Sequence, residues 1–175
     1  TDITDAMFFD ADGDGDNDLY IARGGNELPA GNKDLSDVLL INDGKGSFAK
    51  RILPEVSHNG SCVRPGDFDN DKDIDLFVGS RSFSGAYGWP ANQFLLENDG
   101  MGNFSNVTKI RAGWLNEGGM VTDAAWLDYD SDGDFDLALT GEWMNITLLE
   151  NDQGYFKNAT SDASLHETSG WWSSL

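Results

Sequence analysis

Residues 67–76 read Asp-Phe-Asp-Asn-Asp-Lys-Asp-Ile-Asp-Leu, with an acid at every second position from Asp67 to Asp75. Two more windows repeat the pattern: Asp10 to Asp18 (DADGDGDND) and Asp128 to Asp136 (DYDSDGDFD). Each runs into an apolar stretch: Leu19-Tyr20-Ile21-Ala22, Leu76-Phe77-Val78-Gly79 and Leu137-Ala138-Leu139-Thr140. A second element recurs in phase. Leu39-Leu40-Ile41-Asn42-Asp43-Gly44, Leu95-Leu96-Glu97-Asn98-Asp99-Gly100 and Leu148-Leu149-Glu150-Asn151-Asp152 each precede a glycine (Gly46, Gly102, Gly154) and then Phe48, Phe104 or Phe156. Two linked motifs recurring at this period point to a propeller or an array.

Each unit reads as four short strands. In the third these are roughly Thr122–Leu127, Leu137–Gly141, Ile146–Glu150 and Tyr155–Thr160. They are rich in β-branched and aromatic residues and bounded by Gly, Asn and Asp. Asn42-Asp43-Gly44 and Asn98-Asp99-Gly100 carry a hairpin signal, because glycine tolerates the positive φ of a tight turn. No amphipathic helical stretch of useful length appears. The expected fold is all-β: a β-propeller segment of about three four-stranded antiparallel blades, with each Asp loop joining first to second strand. The repeats run approximately over 1–57, 58–118 and 119–175. Propellers close with about four to eight blades. The chain therefore reads as an excerpt of a longer protein, its further blades supplied by that protein or by other copies.

Composition narrows the function. The chain has 175 residues, with 31 acids against 11 Lys plus Arg and a net charge of −20. Nucleic acid is not expected as a partner, because phosphate binding needs clustered Lys and Arg. An anionic membrane surface is not expected as a partner for the same reason, and no stretch is apolar long enough to span a bilayer. Thr1-Asp2-Ile3-Thr4-Asp5 does not read as a signal peptide. Cys62 is the single cysteine, so cysteine usage leaves the compartment open. At 39% hydrophobic the chain can bury a core. The acids comprise 24 Asp and 7 Glu, and 15 of the Asp lie in the three windows. Asp is favoured where a carboxylate must sit beside a tight turn, so the charge belongs to three loops rather than to the surface at large.

A hard cation such as Ca2+ takes six to eight oxygens at about 2.3–2.6 Å. Asp at loop positions 1, 3 and 5 can aim three carboxylates at one point, position 7 a backbone carbonyl and position 9 a further carboxylate. The candidate sets are Asp10, Asp12, Asp14, Asp16 and Asp18; Asp67, Asp69, Asp71, Asp73 and Asp75; and Asp128, Asp130, Asp132, Asp134 and Asp136. About three Ca2+ per chain are expected, bringing the charge from −20 to −14. An EF-hand loop begins alike, but its twelfth position must be a bidentate Glu. Here that position is Ile21, Val78 or Leu139, inside a strand. Position 6 is Gly15 and Gly133 in the outer loops but Lys72 in the middle one. A non-glycine in a sharp bend there costs on the order of 1 kcal/mol, so the middle loop should bind most weakly.

These loops resemble the Asp-rich calcium loops of FG-GAP and VCBS repeats, found in integrin α-subunit propellers and many secreted bacterial proteins. The Asp-Phe-Asp-Asn-Asp-Lys-Asp-Ile-Asp-Leu run and the Leu-Leu-x-Asn-Asp-Gly-x-Gly-x-Phe element look closest to the VCBS type, as in cartilage-acidic-protein-like propellers. The resemblance implies calcium-stabilised blades, an extracellular, cell-surface or periplasmic location, and adhesion, ligand binding or scaffolding rather than catalysis.

The residues agree on the last point. Nucleophilic catalysis needs a base beside the nucleophile, and the two histidines, His58 and His166, lie in linkers. His58 is four residues from Cys62, but Cys62 reads as a small buried residue of an inner strand. The chain is therefore expected not to be an enzyme; the alternative is part of a propeller-type polysaccharide-degrading enzyme. Strand alternation places any ligand opposite the Asp loops. The loops between second and third strands are long, about Arg23–Ser36 and Arg81–Asn92, and long loops on a rigid scaffold carry binding residues. Candidate contacts for a protein or carbohydrate partner are Arg23, Arg81, Tyr87, Trp89, Trp114 and Trp143. Trp126 occupies the place of Phe8 and reads as core, while Trp143 reads as part of a turn, Gly141–Ile146. Five Asn-x-Ser/Thr sequons begin at Asn59, Asn103, Asn106, Asn145 and Asn158.

Overall fold

Alternating side chains within each repeat produce three antiparallel meanders. The computed structural model describes residues 2–25, 27–29, 32–54, 58–83 and 85–175. The first sheet is β1 (Asp2–Phe9), β2 (Asp18–Gly24), β3 (Val38–Asn42) and β4 (Phe48–Arg51), paired in that order. The second is β5 (Asn59–Gly66), β6 (Asp75–Ser82), β7 (Phe94–Asn98) and β8 (Phe104–Asn106). The third holds β9 (Met120–Leu127), β10 (Asp136–Met144), β11 (Thr147–Asp152) and β12 (Tyr155–Asn158). A two-residue strand, β13 (Gly170–Trp171), adds to the far end of β10. Among the described residues, helix is confined to one turn, α1 (Thr108–Arg111), and short 3-10 turns at Lys33–Leu35 and Gly113–Glu117.

The sheets stack as propeller blades. Strands β1, β5 and β9 are the innermost of each blade, and β5 contacts both of the others. One core fills the gap between the first two blades, with Tyr20, Leu39, Val63, Leu76, Val78 and Leu96 among its members. A second fills the gap between the second and third, including Phe68, Phe77, Leu95, Leu137 and Leu139. The middle blade thus feeds both cores. In β6, Leu76 and Val78 face one core and Phe77 the other, so every residue from Asp75 to Ser80 is buried. β2 packs on one face only and alternates buried with half-buried residues.

Polar groups cross the same gaps. At the inner strands, Arg64 of the middle blade pairs with Asp5 of the first and Asp123 of the third, and its Nε donates to the Ala124 carbonyl at 2.8 Å. At the other joint, Asp37 of the first blade accepts from the Tyr20 hydroxyl at 2.7 Å and meets His58 Nε2 of the second at 2.9 Å. The second ring nitrogen of His58 meets Ser80 at 3.0 Å. His58 therefore joins blades, with its ring nitrogens committed to Ser80 and Asp37. Cys62 is buried in β5, and burial pushes its thiol up to about 12, which makes it an inert core residue.

The expectation for Trp143 changes. β10 runs through Met144, so Trp143 belongs to a strand end rather than a free turn. It sits at φ 54° where the pairing with β13 is irregular between Glu142 and Met144. Trp126, expected in the core, packs half-buried against the second core. Its ring stacks on Phe68, and its N–H donates to the Arg64 carbonyl at 3.0 Å.

Candidate metal loops and the opposite face

The last Asp of each window is the structural staple. Asp18, Asp75 and Asp136 are wholly buried at the start of the second strand. Each uses one oxygen to accept from the N–H of loop position 2, at 2.8, 3.2 and 2.8 Å. Each uses the other to accept from the N–H of Asn42, Asn98 or Asn151 on the third strand, at 2.8 Å in all three blades. The two recurring sequence elements are thus joined by hydrogen bonds. The same Asn side chains then reach across the gap. Asn98 donates to the Ala11 carbonyl of the first Asp loop and Asn151 to the Phe68 carbonyl of the second, at 2.8 and 2.7 Å.

The loop bends are left-handed twice. Position 6 has φ 91° at Gly15, 79° at Lys72 and 98° at Gly133, as the turn requires. Position 4 is also left-handed, at Gly13, Asn70 and Ser131. These bends turn backbone N–H groups inward. Asp10 accepts from Gly13 and Gly15, and Asp67 from Asp71 and Lys72. Position 5 accepts from the N–H of position 7 at 2.9 Å in every loop.

Carboxylate oxygens converge, but not identically. In the outer loops the groups lying within 4.8 Å of one another are Asp10, Asp12 and Asp18, and Asp128, Asp130 and Asp136. In the middle loop they are Asp67, Asp69 and Asp71. Asp14, Asp132 and Asp75 stand outside their clusters. The position-7 side chains turn away: Asp134 accepts from the Gln153 N–H at 2.8 Å in the neighbouring hairpin turn, and Asp16 and Asp73 face the corresponding Gly44 and Gly100. Asp12 Oδ1 and Asp69 Oδ1 are buried without a hydrogen-bond partner. Burial, then neighbouring acids, raises the carboxyls of Asp12, Asp69 and Asp130, with neighbouring backbone N–H donors opposing at Asp12 and Asp130 and Arg111 at Asp69. Burial pushes Asp75 up to about 7 against two backbone donors. A divalent cation fits this donor set: hard oxygens, converging, with unpaired negative charge.

The second-to-third-strand loops emerge at the other end of each meander. There the structure gathers Arg81, Tyr87 and Trp143 around Glu142, a buried carboxylate the sequence reading did not single out. Glu142 is 2% exposed and receives hydrogen bonds from Arg81 and the Tyr87 hydroxyl. Trp143 stands edge-on between Tyr87 and Trp171, with ring centroids 5.7 and 5.3 Å away. A cavity of about 290 Å3 opens beside Arg81 and Glu142, walled by Trp171 and Trp172 and by Thr4, Ser61 and Thr122 from the three innermost strands. A shallower one of about 570 Å3 lies between Trp114 and Trp143, with Asn145 and His166. Arg23 and Trp89 line neither cavity. Arg23 donates its backbone N–H to Asp37. Of the long first loop, residues 26, 30 and 31 lie outside the described residues, as does residue 84 of the second. Glu142 carried no signal in its own repeat, since its role depends on Arg81, 61 residues away.

The sequons divide by geometry. Asn59 is buried, with Oδ1 bonded to the Gly25 N–H and Nδ2 to Ser82. In Asn106-Val-Thr108 and Asn158-Ala-Thr160 the Thr hydroxyl accepts from the Leu95 or Leu148 N–H. Those two motifs close the outer strand and repeat for that reason.

Comparisons with known proteins agree with this architecture. A solved structure described as the basis of specific recognition of non-reducing terminal N-acetylglucosamine by an Agrocybe aegerita lectin is similar, with a TM-score of 0.52 at 16% identity. The superposition covers 94% of this chain and 41% of that one, so this chain spans less than half the lectin's length. At that identity the likeness establishes the fold. No curated protein matches the chain significantly. Among the described residues no helix is long and apolar enough to cross a membrane. The family model for FG-GAP-like repeats matches residues 7–78. The chain carries an FG-GAP-like repeat across that span, which takes in its first two Asp loops.

Proposed function

We propose that this chain is a Ca2+-binding propeller module of a secreted, cell-surface or periplasmic protein, and that it binds a carbohydrate or protein ligand opposite its Asp loops. The calcium reading rests on the converging carboxylates of Asp10, Asp12 and Asp18 and of Asp128, Asp130 and Asp136. Bound ions would neutralise carboxylates that otherwise repel one another and would fix the loops between first and second strands. Asp14 and Asp132, outside those clusters, would contribute through loop closure rather than direct ligation.

The single observation behind the ligand reading is the Arg81–Glu142–Tyr87 cluster beneath the exposed rings of Trp143 and Trp171. Trp143 keeps a left-handed backbone that a bulky side chain disfavours, and such strain concentrates at functional positions. Indoles beside fixed polar groups suit a sugar ring or a protein anchor. The similarity to a sugar-binding lectin favours carbohydrate. The module binds and does not catalyse. Glycan-array binding by the intact chain in Ca2+ is the test. Selective glycan capture supports this reading. Turnover of a polysaccharide by the same protein would replace it with the enzymatic one.

A further inference from the structure

We infer that the middle Asp loop carries its own cation, Arg111, and so keeps its shape without Ca2+, while the two outer loops depend on the ion. This inference rests on the calcium reading above and departs from it at one loop. Arg111 ends the single-turn helix after the middle blade. Its Nη2 lies 3.3 Å from Asp69 Oδ2 and 2.9 Å from Glu97 Oε2. Its guanidinium carbon sits 4.9 Å from the centre of the Tyr155 ring, in cation–π range. Gly154, at φ 84°, leaves room for it: a Cβ there would stand 2.6 Å from Arg111 Nη1. The guanidinium is therefore held by both the middle and third blades, with its side chain 18% exposed.

Among the described residues the outer loops have no such neighbour. Arg111 is the one basic side chain, among the described residues, in an ion pair with an Asp-loop carboxylate. Where the middle blade has Glu97, the first has apolar Ile41. The third has Glu150, whose partners Lys157 and Tyr129 engage that glutamate and not the loop acids. Lys72 adds a second positive charge within the middle loop, and the Asn70 amide ties that loop to Asp134 at 2.6 Å. Its converging set also differs, with Asp71 where the outer loops place their buried last Asp. A fixed positive charge on a ligating carboxylate both relieves the repulsion that Ca2+ would otherwise relieve and repels the ion itself.

The test is hydrogen exchange across the whole chain, with saturating Ca2+ and after its removal by chelator. Amides of 10–18 and 128–136 should exchange at least about tenfold faster without the ion, while those of 67–75 change little. Arg111→Met keeps a long unbranched side chain beside Tyr155 and removes the charge. In that variant the middle loop should become Ca2+-dependent, and its affinity should rise roughly tenfold or more. Equal dependence of all three loops in the wild-type chain overturns the inference and leaves the calcium reading standing. A weaker middle site in Arg111→Met also overturns it, because Arg111 would then support the ion. If no loop responds to Ca2+, the calcium reading itself falls. The wild-type comparison decides even if the variant does not fold.

Discussion

The two ends of the blades are built by different rules. At the Asp-loop end, the same contacts occur three times: a buried Asp joins loop to third strand, and an Asn crosses to the preceding loop where a blade is present to receive it. At the opposite end almost nothing repeats. Arg81, Glu142, Tyr87 and Trp143 each have a role found once, and they come from two blades. Repeated residues hold a repeated fold. Residues that occur once, on that same scaffold, are free to serve a ligand. The repeats also differ where Arg111 enters, so even the regular end is not identical in its three copies.

Four perturbations break or sharpen that contrast, in falling order of effect. Removing Ca2+ should act on the repeated end alone. An ion bound only by the folded state stabilises by about 2.7 kcal/mol per site at a hundredfold excess over Kd, so two outer sites give roughly 5 kcal/mol. Thermal melting with and without chelator measures this, and an unchanged curve would mean the loops are plain acidic turns. Asp136→Ala should cost about 3 kcal/mol even without Ca2+, because it strands the buried N–H of Asn151 and the half-buried N–H of Tyr129. Denaturant unfolding of the ion-free chain checks it, and a loss under about 1 kcal/mol would demote the staple.

Ion-free protein should also lose stability as pH rises. Asp12, Asp69, Asp75 and Asp130 have carboxyls raised in the fold, Asp75 to about 7 against a usual 3.8. Between those values the folded chain holds protons that the unfolded chain has released, so stability falls with rising pH. The ion-free melting temperature should be higher at pH 5 than at pH 7.5, and saturating Ca2+ should reverse the order. Identical ion-free values at the two pH settings would contradict the raised carboxyls of these acids. Trp143→Ala should weaken capture of an array-identified glycan about tenfold or more, without moving the Ca2+ titration. Equal loss of both would mean the two ends are not separable.

What the sequence disclosed was local and repeated. The Asp loops, the strand pairs and the turn at Lys72 could be read because each is fixed by neighbours a few residues away and is written three times. The positive φ at Asn70 and Ser131 was hidden, since neither residue demands it. Contacts over long separations were hidden too. Arg64 bridges residues 59 positions away on either side, and Arg111 reaches back 42 residues to Asp69. From sequence alone Trp143 falls in a turn, because Gly141 looks like a strand end. The strand continues because Glu142 and Met144 find partners in β9 and β13. The candidate ligand face was legible only as two long loops and scattered aromatics. Glu142, which organises it, became visible once the second and third blades were placed side by side.

A calcium titration of the isotopically labelled chain, followed residue by residue through backbone amide NMR shifts, tests the separation of the two ends most directly. The account predicts large shifts at Gly15 and Gly133, a smaller and later one at Lys72, and none at Arg81, Glu142 or Trp143. Shifts centred on Glu142 and Trp143, or none at millimolar Ca2+, would contradict it.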